Sequence, residues 1–483
     1  MHISIYSMDK NTLSVLMLPW LSHGHANRYL ELAKRLIQER DNISIHFCST
    51  PIILESIRDI LNWPPTATSS SSLPAPQSRI NLVEIHLPES AELPPHLHTT
   101  KHLPSHLITT LSRAFAQSQQ SFSQILDIVR PDLLIFDIFQ PWAAHLSRER
   151  NIPAVVYIGC TVAASLFSHC YFKPGKEFPF PAIRLTNDNR RQKKGPEDDQ
   201  HVHSVLERVA LSWQLSDFVI TRSFREVESK YIDYLSTLIG KEVVPTGPLI
   251  PDINNVSTGN SQEAESVMKW LDQRKSRSVV FVSFGSEYFM PYKEMEQLAH
   301  GLELSGACFI WVARFPKINT EGTEGDSKEL LHGLAERVGP ERGLVITSWA
   351  PQRKILVHRN LGAFLTHCGW SSVIEGMQAG IPMIALPMEW DQPINAQLMV
   401  ELGIGVEIPQ HGLGNFTGQD VAASIKQILQ SESGERVRQN AEDLAEVIRN
   451  RKDDEIPNLA NKIVELVRNV KASVELVRSV KAS

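Results

Sequence analysis

The apolar residues of this chain fall into two kinds of run that alternate. LSVLMLPW (Leu13 to Trp20) is short and continuous, the pattern of a strand buried on both faces of a parallel sheet. The following ANRYLELAKRLIQER spaces Tyr29, Leu32, Ala33 and Leu36 at helical intervals. NISIHFCST reads as a second strand, and PDLLIFD (Pro131 to Asp137) and IPAVVYIG (Ile152 to Gly159) as two more around a helix-compatible stretch. The alternation restarts at RSVVFVSFGS (Arg277 to Ser286) and continues through ACFIWVAR, GLVITSW, GAFLTHCG and IPMIALP. Two rounds of β-α-β repeats predict an α/β fold of two Rossmann-like, doubly wound domains facing each other across a cleft.

Breaks in the pattern suggest the boundaries. VPTGPLIPDINNVSTGNSQEAES (Val244 to Ser266) has Pro, Gly and Ser without periodicity and reads as the interdomain linker. The expected division is residues 1–250, then 251–455, with 456–483 as a C-terminal helix packing back on the first domain. TATSSSSLPAPQSR reads as a surface loop, and the mixed-charge run Asn187 to His203 as a mobile insertion. The chain ends in a tandem copy, VELVRNVKAS then VELVRSVKAS, to which no function attaches.

Composition narrows the function. At 483 residues and 42% hydrophobic, the chain can build two cores. A formal charge of −6 argues against broad nucleic-acid binding, and an anionic ligand would need a site built locally against that field. The five cysteines, Cys48, Cys160, Cys170, Cys308 and Cys368, are scattered and form no C-x-x-C pair, as expected of reduced thiols in a cytoplasmic protein. No apolar run reaches the ~18 residues of a membrane span, and the start lacks the layout of a signal peptide.

Three segments carry chemistry. His25 lies where the first strand hands over to the first helix, the ligand end of an open α/β sheet. A helix N-terminus disfavours the imidazolium, so a neutral His25 is a candidate general base. A lone histidine there is more often a surface or capping residue, and His23 is a rival two residues earlier. Asp137 ends an apolar strand at the same edge, where a carboxylate can orient a histidine and stabilise its cation. The pairing strengthens both.

The third segment is THCGWSSVIEGMQAGIPMIALPMEWDQP (Thr366 to Pro393), a strand, a turn and a helix start with hydroxyls at its first positions. Such a helix end binds anions through its N–H groups. From Asn360 to Gln392 there is no Lys or Arg, so a phosphate here would rest on N–H groups, Ser371, Ser372 and His367. Glu375 lies one turn after Ser371, suited to a sugar diol. His367-Cys368 has no second ligand pair at zinc spacing, and no D-x-D is present for a metal-bridged diphosphate.

From Trp349 to Gln392 the chain closely resembles the 44-residue signature of plant UDP-dependent glycosyltransferases, and HGH, IFDIFQPWAA and VSFGSEYF extend the likeness over nearly the whole chain. The resemblance implies the GT-B fold with the donor site in the C-terminal domain. It places Trp349 on uracil, Gln352 by the nucleoside and Glu375 on the ribose hydroxyls, with Ala350 among the donor-binding positions. It gives the diphosphate to His367, Ser372 and Ser286, and the sugar to Trp370, Asp391 and Gln392. It makes His25 the base with Asp137 behind it, in an inverting displacement that needs no cofactor or metal.

A terminal Gln such as Gln392 usually accompanies glucose, so the expected partners are UDP-glucose and a small-molecule acceptor, with the protein a monomer. LPPHLHTT, FQPWAA, SFREVESKYIDYLS and FGSEYF look like the subgroup that extends sugar chains on flavonoid or terpenoid glycosides. Rhamnosyl transfer and a bare aglycone are the alternatives. A non-catalytic nucleotide-sugar binder is disfavoured by the His25/Asp137 pair, and an NAD-dependent oxidoreductase by PWLSHGHA, which lacks the glycine fingerprint. Two departures stand out: Ser371 replaces the family's usual Asn, and the sugar-contacting threonine of the N-terminal domain has no clear match beyond Cys160 or Thr161.

Overall fold

Strand β1 (Leu13–Leu18) is buried at every position, as are β2 (Ile43–Ser49), β4 (Leu133–Asp137) and β5 (Ala154–Ile158). Burial on both faces is why these runs are continuous rather than alternating. The structure is a computed structural model and describes residues 12–62, 79–101, 103–185, 196–249, 261–286, 288–315, 323–412, 414–451 and 455–482. With β3 (Ile80–Glu84), β6 (Val219–Thr221) and β7 (Val243–Pro245), these strands form a seven-stranded sheet in the order β3-β2-β1-β4-β5-β6-β7. Every pairing in it is parallel.

The second sheet has six parallel strands in the order β10-β9-β8-β11-β12-β13. They are β8 (Val279–Ser283), β9 (Cys308–Val312), β10 (Gly343–Ile346), β11 (Leu361–Thr366), β12 (Met383–Ala385) and β13 (Gly405–Glu407). In each sheet the winding reverses beside its first strand, between β1 and β4 and between β8 and β11. Ligands of doubly wound sheets bind at the carboxyl ends of the strands at such a reversal.

Helix His23–Glu39 follows β1 after a short turn and buries Ala26, Tyr29, Leu30, Leu32, Ala33, Leu36 and Ile37, one face at mostly three- and four-residue spacing. The first unit takes in the described residues up to Lys176, those of 199–249 and the helix Glu455–Ala482. That last helix buries Ile456, Leu459, Ala460, Ile463 and Val467, and Lys471 reaches Asp132 at 2.6 Å. In the second ten-residue copy Leu476, Val477 and Val480 remain exposed.

Three boundaries differ from the sequence reading. Val244 belongs to β7, so the region expected as linker begins inside the first sheet and, from Ser261, ends in helix Ser261–Asp272; residues 250–260 lie outside the described part. Residues 177–185 group with the second unit rather than the first. Arg184 and Gln397 exchange two backbone–amide hydrogen bonds, at 2.6 and 3.0 Å. The mixed-charge run expected as a mobile insertion passes into helix Pro196–Leu215, with 186–195 outside the described part. Most of the Ser/Pro-rich loop, residues 66–78, also lies outside it.

Candidate functional site

At the reversal point of the first sheet, β1 leads through a short turn into helix His23–Glu39, and β4 ends in Asp137. His25 Nδ1 lies 2.6 Å from Asp137 Oδ2. The Asp137 side chain is fully buried and that of His25 is 26% exposed. Burial would raise the Asp137 pKa, but His25 and Arg28 beside it outweigh burial and hold the carboxyl below its ordinary value. An ionised carboxylate only accepts, so the proton of the 2.6 Å contact sits on Nδ1. In a neutral ring with that tautomer the lone pair is on Nε2.

His23, the rival candidate, is held differently. The helix already includes it, and its ring is held between Ser56 Oγ and Thr99 Oγ1, each at 3.2 Å. Arg28 went unread in the sequence. Its Nη2 lies 2.7 Å from Asp137 Oδ2 and 2.9 Å from His25 Nδ1. Three residues after His25 on one helix, it was findable from helical spacing alone. Of the two candidates for the sugar-contacting threonine, Thr161 is buried and its hydroxyl bonds that of Thr221 at 2.9 Å, while Cys160 is buried as the N-cap of helix Thr161–Phe172.

In the second sheet the turns after β8 and β11 adjoin, since Ser283 pairs with Thr366. Gly285 takes φ +74° and is followed by the exposed Ser286; beyond β11 come His367, then Cys368 at φ +65°. Gly369 is the N-cap of helix Trp370–Ala379. A Cβ on Gly285 would come within 3.0 Å of the His367 ring, and one on Gly369 within 2.6 Å of His367 Nε2. The imidazole is therefore framed by two glycine backbones. Burial, eased in part by the Ser283 backbone, lowers its pKa to about 4, so it is neutral at pH 7.

Trp370 and Ser372 are buried in the first turn of that helix and Ser371 is exposed. Glu375, one turn on, accepts from Gln352 Nε2 at 2.8 Å and from Arg353 Nε at 3.1 Å. The stretch without Lys or Arg thus does receive a cation, delivered from helix Gln352–Leu356. Arg353 partners the carboxylate, which keeps lone pairs for further donors. Ala350 is buried, and Trp349 is 37% exposed.

Asp391 and Gln392 begin helix Gln392–Glu401. Gln392 Oε1 accepts from the Met388 and Glu389 N–H groups, both at 2.9 Å, which orients its amide NH2 outward from that turn. Asn395, also unread, donates at 2.9 Å to the Cys368 carbonyl and at 3.0 Å to Asp391 Oδ2. It ties the left-handed Cys368 turn to the Asp391 end of the site. The Cys368 thiol is pushed well up by burial. Among the described residues no three His, Cys, Asp or Glu side chains gather as metal ligands would.

Comparison with known proteins covers both units. The family model "UDP-glucoronosyl and UDP-glucosyl transferase" matches residues 235–457, and "Glycosyltransferase, N-terminal domain" matches 11–251. Mogroside IIIx synthase of Siraitia grosvenorii is 43% identical over 440 residues, covering 90% of this chain and 89% of the relative. The chain belongs to the plant UDP-glycosyltransferase family. The β-D-glucosyl crocetin β-1,6-glucosyltransferase of Gardenia jasminoides is 38% identical over 458 residues, 93% of this chain and 98% of the relative.

The fold of this glycosyltransferase is GT-B. Glycyrrhiza uralensis UGT73P12, solved with glycyrrhetinic acid 3-O-monoglucuronide, superposes with a TM-score of 0.78 at 24% identity, covering 98% of this chain and 99% of that one. As a member of this family the chain is a UDP-glycosyltransferase. No helix among the described residues is long and apolar enough to cross a membrane.

Proposed function

We propose that this enzyme transfers glucose from UDP-glucose to a hydroxyl of an already glycosylated plant metabolite, lengthening its sugar chain by a β-linked unit. The observation that carries the acceptor class is the likeness, across nine-tenths of the chain, to an enzyme whose name specifies β-D-glucosyl crocetin as acceptor. The donor rests on Asp391 and Gln392, whose amide is oriented to donate by two backbone N–H groups.

His25 Nε2 takes the proton of the acceptor hydroxyl as its oxygen attacks the anomeric carbon. The bond from that carbon to the diphosphate oxygen breaks, UDP leaves with the electron pair, and the α-linked donor gives a β-glycoside. Asp137 stabilises the imidazolium that forms. The helix start at Trp370, the Ser372 and Ser286 hydroxyls and neutral His367 receive the diphosphate charge. Trp349 stacks on uracil, beside Ala350 and Gln352, and Glu375 takes the ribose hydroxyls. No cofactor or metal enters these steps.

The test is turnover followed by mass spectrometry, with UDP-glucose and UDP-rhamnose against aglycones and their monoglucosides. Monoglucosides plus UDP-glucose should react fastest. Faster turnover of bare aglycones would overturn the acceptor class, and preference for UDP-rhamnose would overturn the donor.

A further inference from the structure

We infer that Arg28 is a positioning residue of this reaction, a fixed positive charge beside the His25–Asp137 pair that pins the carboxylate and keeps the His25 ring available as a neutral base. The inference rests on the role of His25 proposed above and adds to it a third group.

The geometry is a triangle on one oxygen. Asp137 Oδ2 receives His25 Nδ1 at 2.6 Å and Arg28 Nη2 at 2.7 Å, and the two nitrogens are 2.9 Å apart. A guanidinium only donates, so it offers the Nδ1–H no acceptor, and the imidazole proton is directed to Asp137. Arg28 is 9% exposed and its guanidinium lies 5.4 Å from the Tyr157 ring centre and 5.8 Å from that of Tyr29. It cannot swing into solvent without leaving a fully buried carboxylate behind.

The charge count gives the consequence. His25 and Asp137 alone carry −1 and become neutral when the ring takes a proton. With Arg28 they start neutral and become +1, so the same proton uptake meets more resistance. The other groups around the pair do not alter this count. Burial pushes the Tyr157 phenol up to about 12 and the Tyr29 phenol well up, so both stay neutral. Glu31, further along the same helix, is paired with Lys34 at 3.0 Å. Phe139, the aromatic neighbour of the His25 ring, and Trp20, which packs edge-on against Phe139, are uncharged.

The test is the pH dependence of kcat/KM in two variants. Arg28→Gln keeps a donor for Oδ2 and loses the charge; Arg28→Lys keeps the charge. Loss of the charge favours the imidazolium, so the ring holds its proton to higher pH. The acid limb should move up by about one unit or more in Arg28→Gln and stay in place in Arg28→Lys. UDP affinity by calorimetry should be unchanged in both. Equal profiles for the two variants, or an unmoved limb in Arg28→Gln, overturn the inference.

If Arg28→Gln fails to fold, the same charge is read without a buried lone carboxylate, from Asp137→Asn against Asp137→Asn/Arg28→Gln. The double variant should have its acid limb at the higher pH; coincident limbs again overturn the inference. Failure of the underlying reading is separate: it shows as residual turnover in His25→Ala.

Discussion

Gly369→Ala tests whether His367 holds the diphosphate, and it does so with one methyl group. Gly369 has φ −59° and ψ 136°, which any residue adopts, so alanine brings no backbone strain. Its Cβ would stand 2.6 Å from His367 Nε2, about 0.8 Å inside ordinary contact at 3.4 Å. The Gly285 backbone lies against the same ring, so the imidazole must tilt or leave its place. A neutral imidazole N–H bonded to a diphosphate oxygen contributes about 1.5–3 kcal/mol, which is lost when the donor is misaligned. UDP binding by calorimetry should weaken about 10- to 150-fold. Alanine in place of glycine at the N-cap also costs about 1 kcal/mol of stability, which thermal melting would register separately.

The decisive comparison is a double-variant cycle. If the methyl acts through the ring, His367→Ala/Gly369→Ala binds UDP no more weakly than His367→Ala alone. Fully additive losses, or a folded Gly369→Ala that keeps the wild-type Kd, refute the assignment of His367 to the diphosphate.

His25→Ala should lower kcat about 100- to 10,000-fold with the UDP Kd unchanged; substantial residual turnover would remove His25 from the mechanism. Ser371→Asn restores the longer side chain at the helix start and should lower the UDP-glucose KM about two- to tenfold, a single hydrogen bond's worth, in steady-state assays. Glu228, fully buried and bonded to the Val162 and Thr161 N–H groups at 2.5 and 3.2 Å, has its carboxyl pushed up to about 7, chiefly by burial. The folded chain therefore holds a proton there that the unfolded chain releases above about 4.3, and stability from this group falls as pH rises from there through 7. A glutamine amide has one acceptor oxygen for the two N–H groups, so the sign is read from the difference: the change in melting temperature on Glu228→Gln should be more favourable at pH 8 than at pH 5, and an equal change at both would contradict it.

What the sequence disclosed and withheld divides along a physical line. The strands β1, β4, β5, β8 and β11 are long enough and buried enough to print continuous apolar runs, and their carboxyl ends pointed to His25, Asp137 and His367. The three-residue strands β6, β7 and β13 are too short to have a period, whereas β12, equally short, sits in the longer buried run from Ile381 to Leu386; β7 ends in Pro245, so its edge position was mistaken for linker. Partners far apart in the chain were out of reach for a different reason. Arg353 meets Glu375 across 22 positions, from a separate helix. Such a meeting depends on how helices pack and on strand order, neither of which a one-dimensional pattern encodes. Arg28 and Asn395 needed only the next turn of their own helices. Each of those helices has, in its first turn or at its N-cap, a residue already singled out, His25 or Asp391. The groups that tune a site chosen from sequence therefore belong first among the polar residues three and four places along the same helix, before any long-range partner is sought.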